Sequence, residues 1–99
     1  MMKALPEYHL EVVPKDEDAK QAMGFKCADP AVGRRHKIGG APDYQQQEYV
    51  PLCPSCSQEM TFYGQLDSIG DNLVVADCGL VYVFVCFECY QTVSFIQSG

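Results

Sequence analysis

The feature that most narrows the folds open to this chain is a pair of matched cysteine motifs, Cys53-Pro-Ser-Cys56 and Cys86-Phe-Glu-Cys89, separated by residues 57–85. Two residues between cysteines let the backbone turn tightly enough for both sulfurs to face one point. Two such turns complete a tetrahedron of thiolates at ~2.3 Å from a metal. Four sulfurs close the coordination shell and leave no position for an activated water, so the spacing predicts a structural zinc site made by Cys53, Cys56, Cys86 and Cys89. A staple matters at this size: a chain of about 100 residues hides only ~60–70% of the surface its unfolded form exposes. Zinc binding in small peptides contributes ~10–16 kcal/mol, which rivals the whole stability of such a domain.

Other chemistries compete for the same cysteines. A redox dithiol at Cys53-Pro-Ser-Cys56 belongs at a helix start after a strand, whereas here Pro54-Ser55 leads towards another strand. An iron–sulfur cluster also takes four cysteines, although these spacings differ from the usual ferredoxin runs. Cys27 and Cys78 stand outside the motifs. Each reads as a small buried hydrophobe, with a nucleophilic role as the alternative. His36, beside Arg34, Arg35 and Lys37, reads as solvated surface, the alternatives being a replacement ligand or a base for Cys78. His9 reads as an inert residue facing outward from an edge strand.

Charge is distributed unevenly. All seven basic residues lie within the first 37 positions, whereas residues 38–99 hold seven acidic residues and no lysine or arginine. Four thiolates around a divalent ion would add −4 + 2 = −2 to that acidic stretch. Nucleic-acid affinity rests on lysine and arginine displacing counterions, so a nucleic-acid partner is not expected. A basic protein would be attracted and steered, with Asp67, Asp71 and Glu88 as candidate contacts. No apolar run approaches the ~18 residues of a membrane span. The first ten residues carry no secretory-type hydrophobic region, and the paired cysteines suit a reducing compartment. The expected location is therefore the cytoplasm.

Periodicity predicts an α+β domain spanning 1–99, mainly an antiparallel β-sheet with one short N-terminal helix and the four-cysteine zinc-knuckle site. Its front part, 1–44, holds an edge strand over Glu7–Val13 and a helix capped by Asp16 running to Met23 and closed by Gly24. A loop over Phe25–Tyr44 follows. The sheet occupies 45–99. Met60–Asp67 alternates, placing Met60, Phe62, Gly64 and Leu66 on one face and Thr61, Tyr63, Gln65 and Asp67 on the other. Asn72–Ala76 reads as a short strand, and Thr92–Gln97 as the last. Leu80–Cys86 is apolar throughout and is predicted to be a central strand covered on both faces. The size of the domain makes a homodimer plausible.

Lys37-Ile38-Gly39-Gly40-Ala41-Pro42, then Phe62 to Asp67, then Gly79-Leu80-Val81-Tyr82-Val83-Phe84, together resemble the bacterial YwqG-like family of uncharacterised proteins. The arrangement of the cysteine motifs is also similar to the eukaryotic programmed-cell-death-two proteins. Asp43-Tyr44 stands where the family usually has an aromatic after Pro, and this chain is far shorter than typical members. The resemblance implies protein binding: the eukaryotic relatives look like dedicated chaperones for a ribosomal protein, and some bacterial ones look like immunity proteins. In the residues themselves, Gly39 and Gly40 permit a close backbone approach. Lys37 with Arg34 and Arg35 could hold an anion there, or the loop could simply pack as a turn against Gln65. No Ser-His-Asp set, His-rich metal motif or phosphate loop points to an enzyme. The function that fits is a non-catalytic zinc-binding protein-interaction protein, an immunity protein or chaperone occluding a basic partner. The alternatives are a thiol or redox enzyme using Cys78 or Cys53 and a nucleic-acid-binding zinc module.

Overall fold

The computed structural model describes residues 4–24, 31–71 and 74–98. Its elements are β1 (Tyr8–His9), α1 (Glu17–Gln21), β2 (Lys37–Ile38), β3 (Thr61–Asp67), β4 (Leu80–Val85) and β5 (Thr92–Gln97). The strands form one sheet in the order β1-β2-β3-β4-β5, every neighbouring pair antiparallel. The mainly antiparallel architecture expected from the periodicity is therefore present. Helix α1 is five residues long, and the Asp16 side chain accepts a hydrogen bond from the Ala19 amide at 2.9 Å, as a capping aspartate should.

The front half departs from expectation in three ways, the first being that the helix stops at Gln21 with Ala22 as its C-cap, short of the expected run to Met23 closed by Gly24. The edge strand is shorter than Glu7–Val13, and the segment read as a continuous loop contains β2, which bridges β1 and β3. Gly39 and Gly40 follow β2 with φ of 75° and 69°. A Cβ at Gly39 would run into the Pro6 carbonyl oxygen and one at Gly40 into the Glu7 carboxylate, so this turn requires glycine on space as well as on φ. Asn72 and Leu73 lie outside the described residues; Val74–Ala76 is not a strand but leads into a turn. Ser68 fixes that turn, its Oγ accepting from the Val75 amide and donating to the Gly79 carbonyl, each at 2.9 Å.

Among the described residues, the sheet has a core on one face only. Along β4, Leu80, Tyr82 and Phe84 are buried, whereas Val81, Val83 and Val85 are only half-buried. The expectation of full cover on both faces is thus corrected. An apolar residue at every position reflects a strand whose outer face is valine, not one enclosed on both sides. Aromatic rings line the inner face in a continuous series: Tyr44–Tyr82, Tyr82–Phe95, Phe95–Phe84 and Phe84–Phe62, with centroids 5.7, 5.3, 5.7 and 5.5 Å apart. Three side chains hold the covering segment 43–51 over them. Tyr82 donates to the Asp43 carbonyl at 2.8 Å, Gln65 exchanges bonds with Asp43, and Gln97 accepts from the Gln45 and Gln46 amides while donating to the Gln47 carbonyl.

A bulge in β3 determines which residues belong to that core. The register with β4 shifts between Phe62 and Gly64, leaving Tyr63 as the extra residue. Beyond it every side chain is displaced to the opposite face from strict alternation. Gln65 and Asp67 therefore point inward at 1% and 4% exposure, and Leu66 points outward at 53%. Asp67 is corrected accordingly. It is an interior anchor, not a surface contact for a partner. Its Oδ1 and Oδ2 accept from Arg35 Nη2 and Nε at 2.7 and 2.8 Å, and the Gly33, Arg35 and Ser68 amides also donate to it.

Burial alone would raise the Asp67 pKa, but the Arg35 guanidinium and these amides outweigh it and hold the carboxyl below its ordinary value. The matching shift in Arg35 is upward, chiefly through its hydrogen bond to Asp67. A lowered folded-state pKa means the stabilisation is fully present above the unfolded carboxylate value of ~3.9 and is lost as pH falls through the folded one. In urea denaturation, Asp67→Asn should cost about 3 kcal/mol at neutral pH, the scale of breaking a buried ion pair. The variant should also lose part of the wild-type decline in stability with acid. Wild-type stability at neutral pH would show that the pair carries no such load.

Candidate metal centre

The cysteine motifs are built as the same local structure twice. In the first, the Cys53 amide donates to the Gln58 carbonyl at 2.8 Å and the Ser57 amide to the Cys53 carbonyl at 2.9 Å. In the second, the Cys86 amide donates to the Gln91 carbonyl at 2.9 Å and the Tyr90 amide to the Cys86 carbonyl at 2.7 Å. The residue after each second cysteine is left-handed: Ser57 at φ 63° and Tyr90 at φ 57°. The sequence signal for this equivalence is the shared Gln, Cys-Pro-Ser-Cys-Ser-Gln against Cys-Phe-Glu-Cys-Tyr-Gln.

The sheet brings the two turns together. The first precedes β3, flanked by the Leu52–Glu59 bridge, and the second connects β4 to β5. Because β3 and β4 are antiparallel with Thr61 opposite Val85, the start of one lies beside the end of the other. Both turns thus sit at the same end of the sheet. The sulfurs of Cys53, Cys56, Cys86 and Cys89 all lie within 4.8 Å of one another. Cys56 and Cys86 are 3.7 Å apart between sulfurs, against about 3.8 Å across the edge of a tetrahedron with 2.3 Å metal–sulfur bonds. No disulfide joins the described cysteines. Cys53 and Cys86 belong to the buried core with Met60 and Phe84, Cys56 is half-buried and Cys89 is exposed, so the centre is rooted in the core and open at one side.

This donor set fits a metal ion. Burial works to raise the Cys53 thiol, but the amides of Cys56 and Ser55 and the neighbouring sulfurs outweigh it and lower its pKa to about 7; the Ser55 N–H lies 3.4 Å from the Cys53 sulfur. Cys89, facing Cys56 and then burial, is pushed up to about 12. Cys56 is lowered by the Gln58 amide, yet burial and the Cys53 and Cys86 sulfurs bring it above its ordinary value. Without a cation, therefore, one of the four ionises readily and its charge opposes the others. A bound divalent ion would relieve that repulsion.

The remaining candidates fall elsewhere. Lys37 Nζ is paired with Glu7 at 2.9 Å and Asp43 at 3.3 Å, so this loop cation is engaged internally and the turn is held through Gln65, the plainer of its two readings. His36 is corrected from solvated surface to a buried residue at 4% exposure, its Nδ1 accepting from the Asp67 amide at 3.0 Å. His36 makes no hydrogen bond to Cys78, whose carbonyl accepts from Arg35 at 3.0 Å. His9 is exposed on β1 as expected, as are Asp71 and Glu88. Cys27 lies outside the described residues.

Over 62 residues, 63% of its length, the chain is 32% identical to the uncharacterised protein YpfL of Salmonella typhimurium. The matched stretch is 15% of that relative, so the chain corresponds to a small part of a much longer protein. No family model matches the chain, and no solved structure matches it.

Two outcomes test the centre. Tyr90 is 75% exposed, so its ring contributes little while its backbone carries left-handed strain. Tyr90→Gly should raise stability by about 0.5–1 kcal/mol with metal content unchanged, measured by thermal melts. Metal affinity should also fall steeply as pH drops from about 8 to about 6, because cysteines ligate as thiolates and protons compete for them. Competition with a chromophoric chelator reads this, and a flat profile would exclude thiolate ligation.

Proposed function

We propose that this chain is a non-catalytic, zinc-stapled protein-interaction protein of the cytoplasm, acting as an immunity protein or dedicated chaperone that occludes one basic protein. The observation that carries the reading is the pairing of a closed four-sulfur cluster with an uncovered apolar sheet face. Four thiolates without oxygen or nitrogen donors favour zinc over magnesium, calcium or manganese, and leave no site for a reacting water. Tyr63, Leu66 and Ile96 are 43%, 53% and 53% exposed on the outer face. Beside them, Gly64 leaves an apolar depression of about 210 Å³ bordered by Ile38, Tyr63, Leu66 and Val83. A contiguous apolar patch of this kind marks a protein contact. The acidic balance of residues 38–99 favours a basic partner. The resemblance to YwqG-like proteins agrees with such a role, and a second copy of the chain is the alternative occupant of the same face.

Purified protein should carry one zinc per chain by native mass spectrometry, and its removal should unfold the sheet. With the cognate partner, Leu66→Glu should abolish the complex, whereas Asp71→Lys and Glu88→Lys should weaken it several-fold at low salt and little at high salt. Sedimentation of the chain alone separates a homodimer from a hetero-complex. A complex indifferent to all three changes would refute this placement of the partner. The thiol-enzyme reading has one observation in its favour, the lowered Cys53 pKa. It requires Cys53 to alkylate rapidly in the metal-loaded protein, where a zinc ligand should be protected.

A further inference from the structure

We propose that the cleft between residues 9–12 and residues 33–36 binds a small monocarboxylate with an apolar body, its head held by His36 Nε2–H and Arg34. His36 has a hydrogen-bond deficit. His36 Nδ1 accepts the Asp67 amide, so that nitrogen is bare and the neutral ring carries its proton on Nε2. Nε2 is buried and has no hydrogen-bond partner among the described residues. Native proteins rarely leave a buried donor unpaired, and the exceptions mark places where a ligand or water belongs. Since Nδ1 faces β3, Nε2 points away from that strand.

His36 lines a cavity of about 380 Å³ together with Leu10, Val12, Met23 and Arg34. A neighbouring cavity of about 290 Å³ shares His9, Arg34 and His36 with it. Arg34 is exposed, and unlike Arg35 and Lys37 it is not engaged by a carboxylate among the described residues. An imidazole N–H and a guanidinium lining the same cavity suit an oxyanion, and Leu10, Val12 and Met23 suit an aliphatic group. The other charges limit the ligand further. Glu11 lines the first cavity, and in the second Glu7 and Asp43 share the one Lys37 ammonium, which offsets half of their charge. Glu11 opposes any anion here, so with Arg34 as the counter-charge a single carboxylate leaves a net −1 in the first cavity and a dianion such as phosphate leaves −2, which disfavours the dianion more.

The shared chemistry could come from a free branched acid or from the C-terminus of a peptide ending in an aliphatic residue. The test is NMR titration of the intact, metal-bound ¹⁵N-labelled chain with isovalerate, N-acetyl-leucine and inorganic phosphate, following the His36 imidazole and Arg34 guanidinium resonances. Either carboxylate should shift both saturably, and the stronger of the two identifies the source; phosphate should not. His36→Asn places an amide oxygen where Nδ1 lies, keeping the bond to the Asp67 amide while removing the Nε2 donor. It should melt as wild type and bind the carboxylate at least about tenfold more weakly, the scale of a hydrogen bond to a charged group. Arg34→Gln should weaken binding comparably. Unchanged binding in His36→Asn, preference for phosphate, or a His36 resonance indifferent to every probe (the signature of an enclosed water) would overturn the proposal.

Discussion

One extra residue in a strand, Tyr63 in β3, governs most of what is distinctive in this protein. The bulge turns Gln65 and Asp67 into the core side of the sheet and Leu66 out of it. Inward, a glutamine and an aspartate become the anchors for segments that have little regular structure of their own. Gln65 holds the Asp43 turn and Asp67 holds Gly33 to Arg35. Outward, the same shift joins Leu66 to the valines of β4 and to Ile96 of β5, creating an apolar face. Core anchoring and surface chemistry therefore share one local cause, because a shift of one residue exchanges the two faces of a strand.

The core is thin, and its construction reflects that. A sheet covered on one side by an irregular segment cannot rely on interlocking helices, so polar side chains replace secondary structure as fasteners. Gln97 does at the β5 edge what Gln65 does in β3, binding the backbone of residues 45–47. Such bonds are individually modest, yet the penalty for leaving their buried partners unpaired is not. At the other end of the sheet, the four sulfurs supply the second fastening. Cys53 and Cys86 contact the apolar core directly, so an ion gripped there would be coupled to the packing of Met60 and Phe84.

The two ends also differ chemically. At the cysteine end four sulfurs lie within 4.8 Å of one another, enough to fill the coordination shell of one ion. Around His36, among the described residues, a buried N–H lacks a hydrogen-bond partner and a nearby arginine lacks a carboxylate partner. One end suits a permanent occupant and the other an exchangeable one. The apolar outer face lies on the same sheet as both, and all three features depend on the strand register being held.

The cysteine cluster, the aspartate N-cap of the helix and the antiparallel β character of the C-terminal half were legible in the sequence, whereas the end of the helix was not. Each is written in local spacing: two residues between cysteines, an aspartate three before Ala19 and an unbroken apolar run along Leu80–Val85. Local spacing constrains the backbone directly, so it survives without knowledge of distant partners. Only tertiary structure decided that Asp67 and His36 lie inside, that Leu66 lies outside and that Lys37–Ile38 is a strand. A bulge has no reliable mark in a single sequence, because its residue has no special backbone requirement and its cost is met by the strand beside it. Histidine and aspartate are hydrophilic in isolation; Arg35 and the Asp67 amide, more than thirty positions apart in sequence from the groups they bind, made them interior residues.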